Sequence, residues 1–116
     1  MSDSADSALM TLVVQVEGDT VVVLCKGRLM SNSSVLLLKP VAELIADHQH
    51  VVLDLSELTQ MDSGGLGALV RLYVSAKKQG RVLELRNLGV KVRDLLILTN
   101  LISVFSVAGE HGVGIH

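Results

Sequence analysis

The stretch that most constrains the fold is residues 51–70, which reads VVLDLSELTQMDSGGLGALV. Val51 to Leu55 is a nearly continuous apolar run, typical of a strand that is buried on both faces. A short polar connector follows, and apolar residues then recur at helical spacing from Leu66 onward. Because a strand that leads directly into a helix is the repeating unit of parallel-sheet domains, this stretch predicts an α/β fold.

Ser63 lies at the junction between that strand and that helix. A serine at this position can cap the helix, because its hydroxyl can accept from the free N–H groups of the first turn. Asp62 is an equally suitable capping residue, so both assignments stay open. The same N–H groups and the helix dipole favour an anion, so Ser63 is also a candidate site for a phosphoryl charge switch.

The rest of the chain alternates between strand-like and helix-like segments. The predicted strands are 12–16, 20–26, 51–55, 81–86 and 103–107. The predicted helices carry apolar stripes at Leu37, Val41, Leu44 and Ile45, at Leu66, Leu69, Val70 and Tyr73, and at Val92, Leu95, Leu96 and Thr99. Ser31 to Ser34 is a cluster of helix-capping residues before the first helix, and Pro40 predicts either a kink there or a helix start near Lys39.

The resulting order is ββαβαβαβ. The first two strands predict an antiparallel hairpin around the turn Gly18-Asp19, and the strand–helix–strand units predict parallel neighbours. We therefore expect one α/β domain over residues 11–108, with a mixed, mainly parallel sheet, an N-terminal antiparallel hairpin and helices packed on the sheet. Residues 1–10 predict a disordered tail, and the glycine-rich residues 109–116 predict a flexible one.

Composition limits the classes of function. The chain has 116 residues, 49% of them hydrophobic but only 2% aromatic, which predicts an aliphatic core. A net charge of −2 and the scarcity of aromatic residues argue against nucleic-acid binding. Cys25 is alone in an apolar run, which indicates a reduced core thiol and suits a cytoplasmic location. No apolar run approaches the roughly 20 residues of a membrane-spanning helix, so we expect no membrane insertion.

The sequence offers no catalytic, metal or cofactor site. Ser63 lacks a recognisable base and the Gly-x-Ser-x-Gly setting of a nucleophile, so we expect no enzymatic activity. The glycines that follow it are misplaced for a dinucleotide fingerprint, since Val70 stands where a third glycine is needed. His48 and His50 are too few to fix a metal without a nearby cysteine.

Three segments together resemble a known family. They are the hairpin that ends at Gly27 before a helix, Val52-Leu53-Asp54-Leu55-Ser56 followed by Met61-Asp62-Ser63-Gly64-Gly65-Leu66-Gly67, and Lys77-Lys78-Gln79-Gly80 leading into a strand and a last helix that ends at Thr99-Asn100-Leu101. Over about residues 11–107 the chain resembles a STAS domain of the bacterial anti-sigma factor antagonist group.

The resemblance implies a function and a site. In such antagonists a partner anti-sigma factor with serine kinase activity phosphorylates the serine that follows the aspartate, which maps onto Ser63. The unphosphorylated form binds the anti-sigma factor and frees the sigma factor, the phosphorylated form releases it, and a phosphatase resets the cycle. The partner-binding residues expected on this basis are Met30, Met61, Asp62, Ser63, Gly64 and Gly65.

Two departures from the family pattern leave a second role open. Gly64 stands where the family commonly has Ser or Thr, and Met30 stands where a Gly-x-x-Asp pattern places an acid. STAS domains also occur as scaffold or docking subunits of stress-sensing assemblies and as partners of lipid or anion transporters. Such a role needs no cycle of phosphorylation and dephosphorylation at Ser63.

Overall fold

The computed structural model of the protein describes the backbone of residues 10–108 and the side chains of residues 10–105. The strands are β1 (Met10–Glu17), β2 (Thr20–Leu29), β3 (His50–Met61), β4 (Val82–Arg86) and β5 (Ser106–Ala108). The helices are α1 (Val35–Asp47), α2 (Ser63–Lys78) and α3 (Val90–Leu98). The predicted element order is confirmed. The predicted tails lie outside the described residues, except that Met10 already belongs to β1.

The strands form one sheet in the order β1-β2-β3-β4-β5. β1 and β2 pair antiparallel across a turn in which Gly18 has a φ of +68°, a conformation that glycine adopts without strain. β2, β3, β4 and β5 pair in parallel. The predicted mixed sheet with an N-terminal hairpin is therefore confirmed.

The core is aliphatic, as the composition predicts. Valine and leucine side chains from β2, β3 and β4 form one cluster with the buried stripes of the three helices. Leu53 and Leu85 on the sheet and Ile45 and Leu69 on the helices are all fully buried. The single phenylalanine, Phe105, is buried and meets the ring of Tyr73 edge-on, with 5.3 Å between ring centroids.

α1 contains Pro40 in its second turn and begins at Val35, so the predicted alternative of a start near Lys39 is wrong. A proline removes a single backbone donor at its own position. The buried residues Leu37, Val41 and Ile45 lie before and after it and hold the helix on the sheet. Packing therefore offsets the local preference against a proline inside a helix.

β2 and β3 are longer than their apolar runs predict. β2 continues to Leu29 and β3 to Met61, and the two strands stay paired to that end with register shifts between Leu24 and Lys26 and between Gly27 and Arg28. Backbone pairing needs no apolar side chain, so strands can extend through polar residues that hydropathy assigns to connectors. This extension brings the ends of the two strands to one place on the sheet edge.

Candidate functional site

The carboxyl ends of β2 and β3 bring two connecting segments together. Leu29 pairs with Met61 in the last register position, and the Asp62 N–H donates to the Leu29 carbonyl over 3.3 Å. The loop from β2 to α1 and the junction from β3 to α2 therefore leave the sheet side by side. All six predicted partner-binding residues lie in these two segments: Met30, Met61, Asp62, Ser63, Gly64 and Gly65.

Asp62 is the residue that caps α2. Its backbone is extended, and its Oδ1 accepts from the Gly65 N–H over 2.9 Å, while its carbonyl accepts the Leu66 N–H over 2.9 Å. This is the spacing that a side-chain cap requires. The assignment of Ser63 as the cap is therefore wrong, because Ser63 is the first residue inside the helix.

The second carboxylate oxygen of Asp62 reaches back to the other segment. Asp62 Oδ2 accepts from the Ser31 N–H over 3.1 Å and from the Ser31 hydroxyl over 3.2 Å. The hydrogen bond from Gly65 and those from Ser31 hold the pKa of Asp62 below its ordinary value of 3.8, so the carboxylate is ionised at neutral pH. We call Ser31, Asp62 and Gly65 the Asp62 clasp, since one side chain ties the loop to the helix.

Two glycines of α2 lie against the loop with no room for a side chain. A Cβ on Gly64 would overlap the Ser31 hydroxyl and lie 2.8 Å from Ser31 Cα. A Cβ on Gly65 would overlap the Leu29 carbonyl oxygen and lie 2.8 Å from the carbonyl carbon. The departure from the family pattern at Gly64 thus has a physical reason in this chain, because Ser31 occupies the space.

Ser63 lies on the first turn of α2, at the junction that the sequence predicts, and its side chain is exposed. Within the described part of the chain, its hydroxyl has no hydrogen-bond partner. The same helix buries Leu66 and Leu69 and packs Val70 and Tyr73 against the core. Met30 and Met61, which directly precede Ser31 and Asp62 of the clasp, are half-buried. The site therefore presents a free hydroxyl beside an ionised carboxylate.

Sequence reasoning missed two serines that shape the site. The sequence predicts Ser31 to Ser34 as a cluster of capping residues before α1, but Ser34 makes no side-chain cap. Ser33 is instead fully buried, where its hydroxyl donates to the Arg28 carbonyl over 2.8 Å and accepts the Met30 N–H over 3.0 Å. Ser31 bonds to Asp62, which lies 31 positions further along the chain. In the sequence, the serine-rich run from Ser31 to Ser34 is the only sign of this role.

Cys25 in β2 and His50 in β3 lie away from the clasp. Cys25 is buried as predicted, and burial, with the charge of Asp54, raises the pKa of its thiol to about 12. His50 Nε2 lies 2.7 Å from Glu84 Oε1. Among residues 10–105 no group of three or more His, Cys, Asp or Glu side chains could hold a metal. None of the helices among the described residues has both the length and the apolar character of a membrane-spanning segment.

Comparison with solved structures shows the same fold in proteins of low sequence identity. An anti-sigma factor antagonist from Mycobacterium paratuberculosis is 24% identical, with a TM-score of 0.76 over 84% of this chain and 84% of that chain. The unphosphorylated anti-sigma factor antagonist SpoIIAA, from Bacillus, is 20% identical, with a TM-score of 0.70 over 87% of this chain and 89% of that one. A sulfate transporter family protein from Wolinella succinogenes is also 20% identical, with a TM-score of 0.70 over 84% and 81%.

These likenesses concern the fold alone. The proteins compared are of two kinds, anti-sigma factor antagonists and a sulfate transporter family protein. The sequence itself matches the model of one family over residues 11–112, which is nearly the whole chain. The strand-to-helix junction with its Asp-Ser-Gly sequence lies inside the matched region. The protein is therefore a member of the STAS domain family.

Proposed function

We propose that the protein is an anti-sigma factor antagonist whose affinity for an anti-sigma factor is set by phosphorylation of Ser63. The observation that carries the proposal is the exposed, unpartnered Ser63 hydroxyl on the first turn of α2, next to the Asp62 clasp. The family membership and the fold likeness to anti-sigma factor antagonists support the same assignment.

Among the serines of this edge, Ser63 is the one best suited to modification. The Ser31 hydroxyl already donates to Asp62, and Ser33 is buried with both of its hydrogen-bonding roles filled. Phosphorylation of Ser31 would remove its hydrogen bond to Asp62, and the buried Ser33 would first have to leave the interior. Ser63 can accept a phosphoryl group without the loss of any described hydrogen bond.

The added charge would act mainly on binding. A phosphoserine carries about −1.5 to −2 charge at neutral pH. The N-terminus of α2 favours this charge, whereas the ionised Asp62 beside it disfavours it, so the two effects on the free protein oppose each other. A partner that covered this surface would have to desolvate the whole charge, which weakens the complex.

The partner in this proposal is a cytoplasmic anti-sigma factor with serine kinase activity, and a phosphatase resets the switch. The half-buried Met30 and Met61 lie in the two segments that meet at the Asp62 clasp, and methionine adapts readily to a partner surface. Because Met30 replaces the acid of the family pattern, we expect an apolar contact there instead of an ion pair. Regulation of transcription would follow from release of the sigma factor.

A second candidate function rests on the fold likeness to a sulfate transporter family protein. In that role the same surface docks to a transporter or to a larger assembly, and Ser63 is not modified. The two candidates differ in whether charge at Ser63 controls affinity.

The test uses the partner captured with this chain from its native host and the variants Ser63→Asp and Ser63→Ala, compared by calorimetric titration. Ser63→Asp should weaken binding by about 2–5 kcal/mol, since an uncompensated charge becomes buried in the interface. Ser63→Ala should bind like the wild type and should not gain the mass of a phosphoryl group with the partner kinase and ATP.

The matched control is Gln49→Glu, which adds the same charge at an exposed position just before the start of β3, at the far end of that strand. It should bind like the wild type. Both Ser63 variants should keep the free energy of unfolding within about 0.5 kcal/mol, because Asp62 supplies the cap. Equal affinity of Ser63→Asp and the wild type would refute the charge switch and favour the docking role.

A further inference from the structure

We propose that two copies of this protein form a two-fold dimer by antiparallel pairing of their β1 strands. β1 is an edge strand of the sheet and pairs within the described residues with β2 only. Its other side presents backbone N–H and C=O groups that a further strand could satisfy. The inference concerns assembly and is independent of the proposed switch at Ser63.

The open edge of β1 lacks the features that usually prevent strands from pairing. Natural edge strands carry charges, prolines or bulges, or are very short. Residues 10–16 read MTLVVQV, with neither charge nor proline, and the pairing of β1 with β2 runs from Met10 to Glu17 without a register shift. Within the described residues, which end at Ala108, the opposite edge strand β5 has three residues. The unprotected edge is therefore β1.

The side chains of β1 are apolar and uncovered. Val13 is 44% exposed, Val14 46% and Val16 63%, while their neighbours in β2 are buried or half-buried. Pairing with another strand would remove part of this apolar area from water on both faces of the sheet.

The hairpin geometry indicates which backbone groups are free. A two-residue turn is flanked by a pair that exchanges both backbone hydrogen bonds, here Glu17 and Thr20. Because the pattern alternates, Gln15 and Val13 also bond to β2. The backbone groups of Leu12, Val14 and Val16 then point to the open edge.

These groups define a register in which β1 complements itself. A two-fold axis perpendicular to the sheet at Val14 pairs Val14 with its counterpart in the second copy, and it pairs Leu12 with Val16 in both directions. Every such pair is apolar and uses the free backbone groups. Glu17, the only charge in β1, then lies opposite Thr11 and far from the second Glu17. This self-complementarity favours a second copy over an unrelated strand.

The dimer would leave the Asp62 clasp accessible. Val14 pairs with Val23 of β2, and Leu29 lies six residues further along that strand, roughly 20 Å away at the rise of a strand. The Asp62 clasps of the two copies would therefore lie at opposite ends of the continuous sheet. The two proposals can fail separately.

The test is the molar mass of the full chain in solution, measured by sedimentation over a range of protein concentrations. The wild type should approach a dimer as concentration rises. Val14→Lys should stay monomeric at the same concentrations, because two lysines would face each other across the axis. Val74→Lys is the matched control, since Val74 is 43% exposed on α2, away from β1, and should dimerise like the wild type.

Oxidative cross-linking tests the register and does not depend on the lysine variants folding. Val14→Cys should form a disulfide-linked dimer, because directly opposed residues have Cα atoms about 5.5 Å apart. Val16→Cys should not, because it pairs with Leu12 and lies four positions from its own counterpart. A wild type that remains monomeric, a dimer that Val14→Lys leaves intact, or equal cross-linking at both positions would overturn the proposal.

Discussion

The glycines at the start of α2 provide a graded test of the contact between helix and loop. Gly64, Gly65 and Gly67 lie within one turn of each other, yet their surroundings differ. A Cβ on Gly67 would meet no atom within 4 Å, whereas one on Gly64 would meet Ser31 and one on Gly65 the backbone of Leu29. The same substitution, glycine to alanine, should therefore change stability in opposite directions.

The magnitudes follow from two competing effects. Alanine in place of a helical glycine gains about 0.5–1 kcal/mol, which is the whole expected effect of Gly67→Ala. Overpacking costs about 1–3 kcal/mol. For Gly64→Ala the balance is a loss of about 1–2 kcal/mol. Gly65→Ala should lose about 3 kcal/mol or more, because the obstructing atoms belong to the backbone of Leu29 and cannot rotate away.

Urea unfolding of the three variants, monitored by far-UV circular dichroism, measures this order. Adding Ser31→Gly should recover part of the loss in Gly64→Ala, with a coupling of about 0.5–3 kcal/mol, and none of the loss in Gly65→Ala. If Gly64→Ala or Gly65→Ala were as stable as Gly67→Ala, the close approach of α2 to the β2–α1 loop would be refuted.

Other predictions concern the core, the clasp and the loop. Leu69→Ala should lose about 2–5 kcal/mol of unfolding free energy in urea, because Leu69 is fully buried, whereas Arg71→Ala on the exposed side of α2 should stay within about 0.5 kcal/mol. Asp62 has a lowered pKa in the folded state, so its stabilising effect is present above pH 3.8 and is lost as the pH falls through the lower value. Melts against pH should therefore show the advantage of the wild type over Asp62→Asn shrinking only in that acid range. Ser33→Ala should lose about 1–3 kcal/mol in the same melts, because it leaves the Met30 N–H and the Arg28 carbonyl without their side-chain partner.

The sequence predicts the elements of this fold better than their ends. Apolar runs identify the central strands because Val51, Leu53 and Leu55 must be buried, and helical spacing identifies α2 because Leu66 and Leu69 face the sheet. Hydropathy does not register backbone pairing, so it ends β2 and β3 several residues early. The register that aligns Leu29 with Met61 is a long-range property of the assembled sheet.

The candidate site is also predictable from the sequence only in part. The position and exposure of Ser63 follow from a local strand-to-helix junction. The choice between Asp62 and Ser63 as the cap does not, since both residue types suit the role and the extended backbone of Asp62 decides it. The partnership of Asp62 with Ser31 depends on two segments that meet only after the sheet has formed. For the same reason, the sequence shows Gly64 only as a departure from the family pattern. The loop that contains Ser31 explains it, because Ser31 fills the space that a side chain would need.

The reactivity of the buried Cys25 thiol can be used to measure unfolding of this domain. Cys25 is the only cysteine of the chain, and its side chain has no solvent exposure. The thiol pKa of about 12 leaves almost no thiolate at neutral pH. A thiol-reactive reagent can therefore modify the native chain only when β2 opens. Where opening and closing are faster than the reaction, the labelling rate gives the free energy of opening, read as a mass increment per molecule. The effect of ligands, partners or neighbouring copies on stability then becomes measurable in mixtures where optical signals overlap.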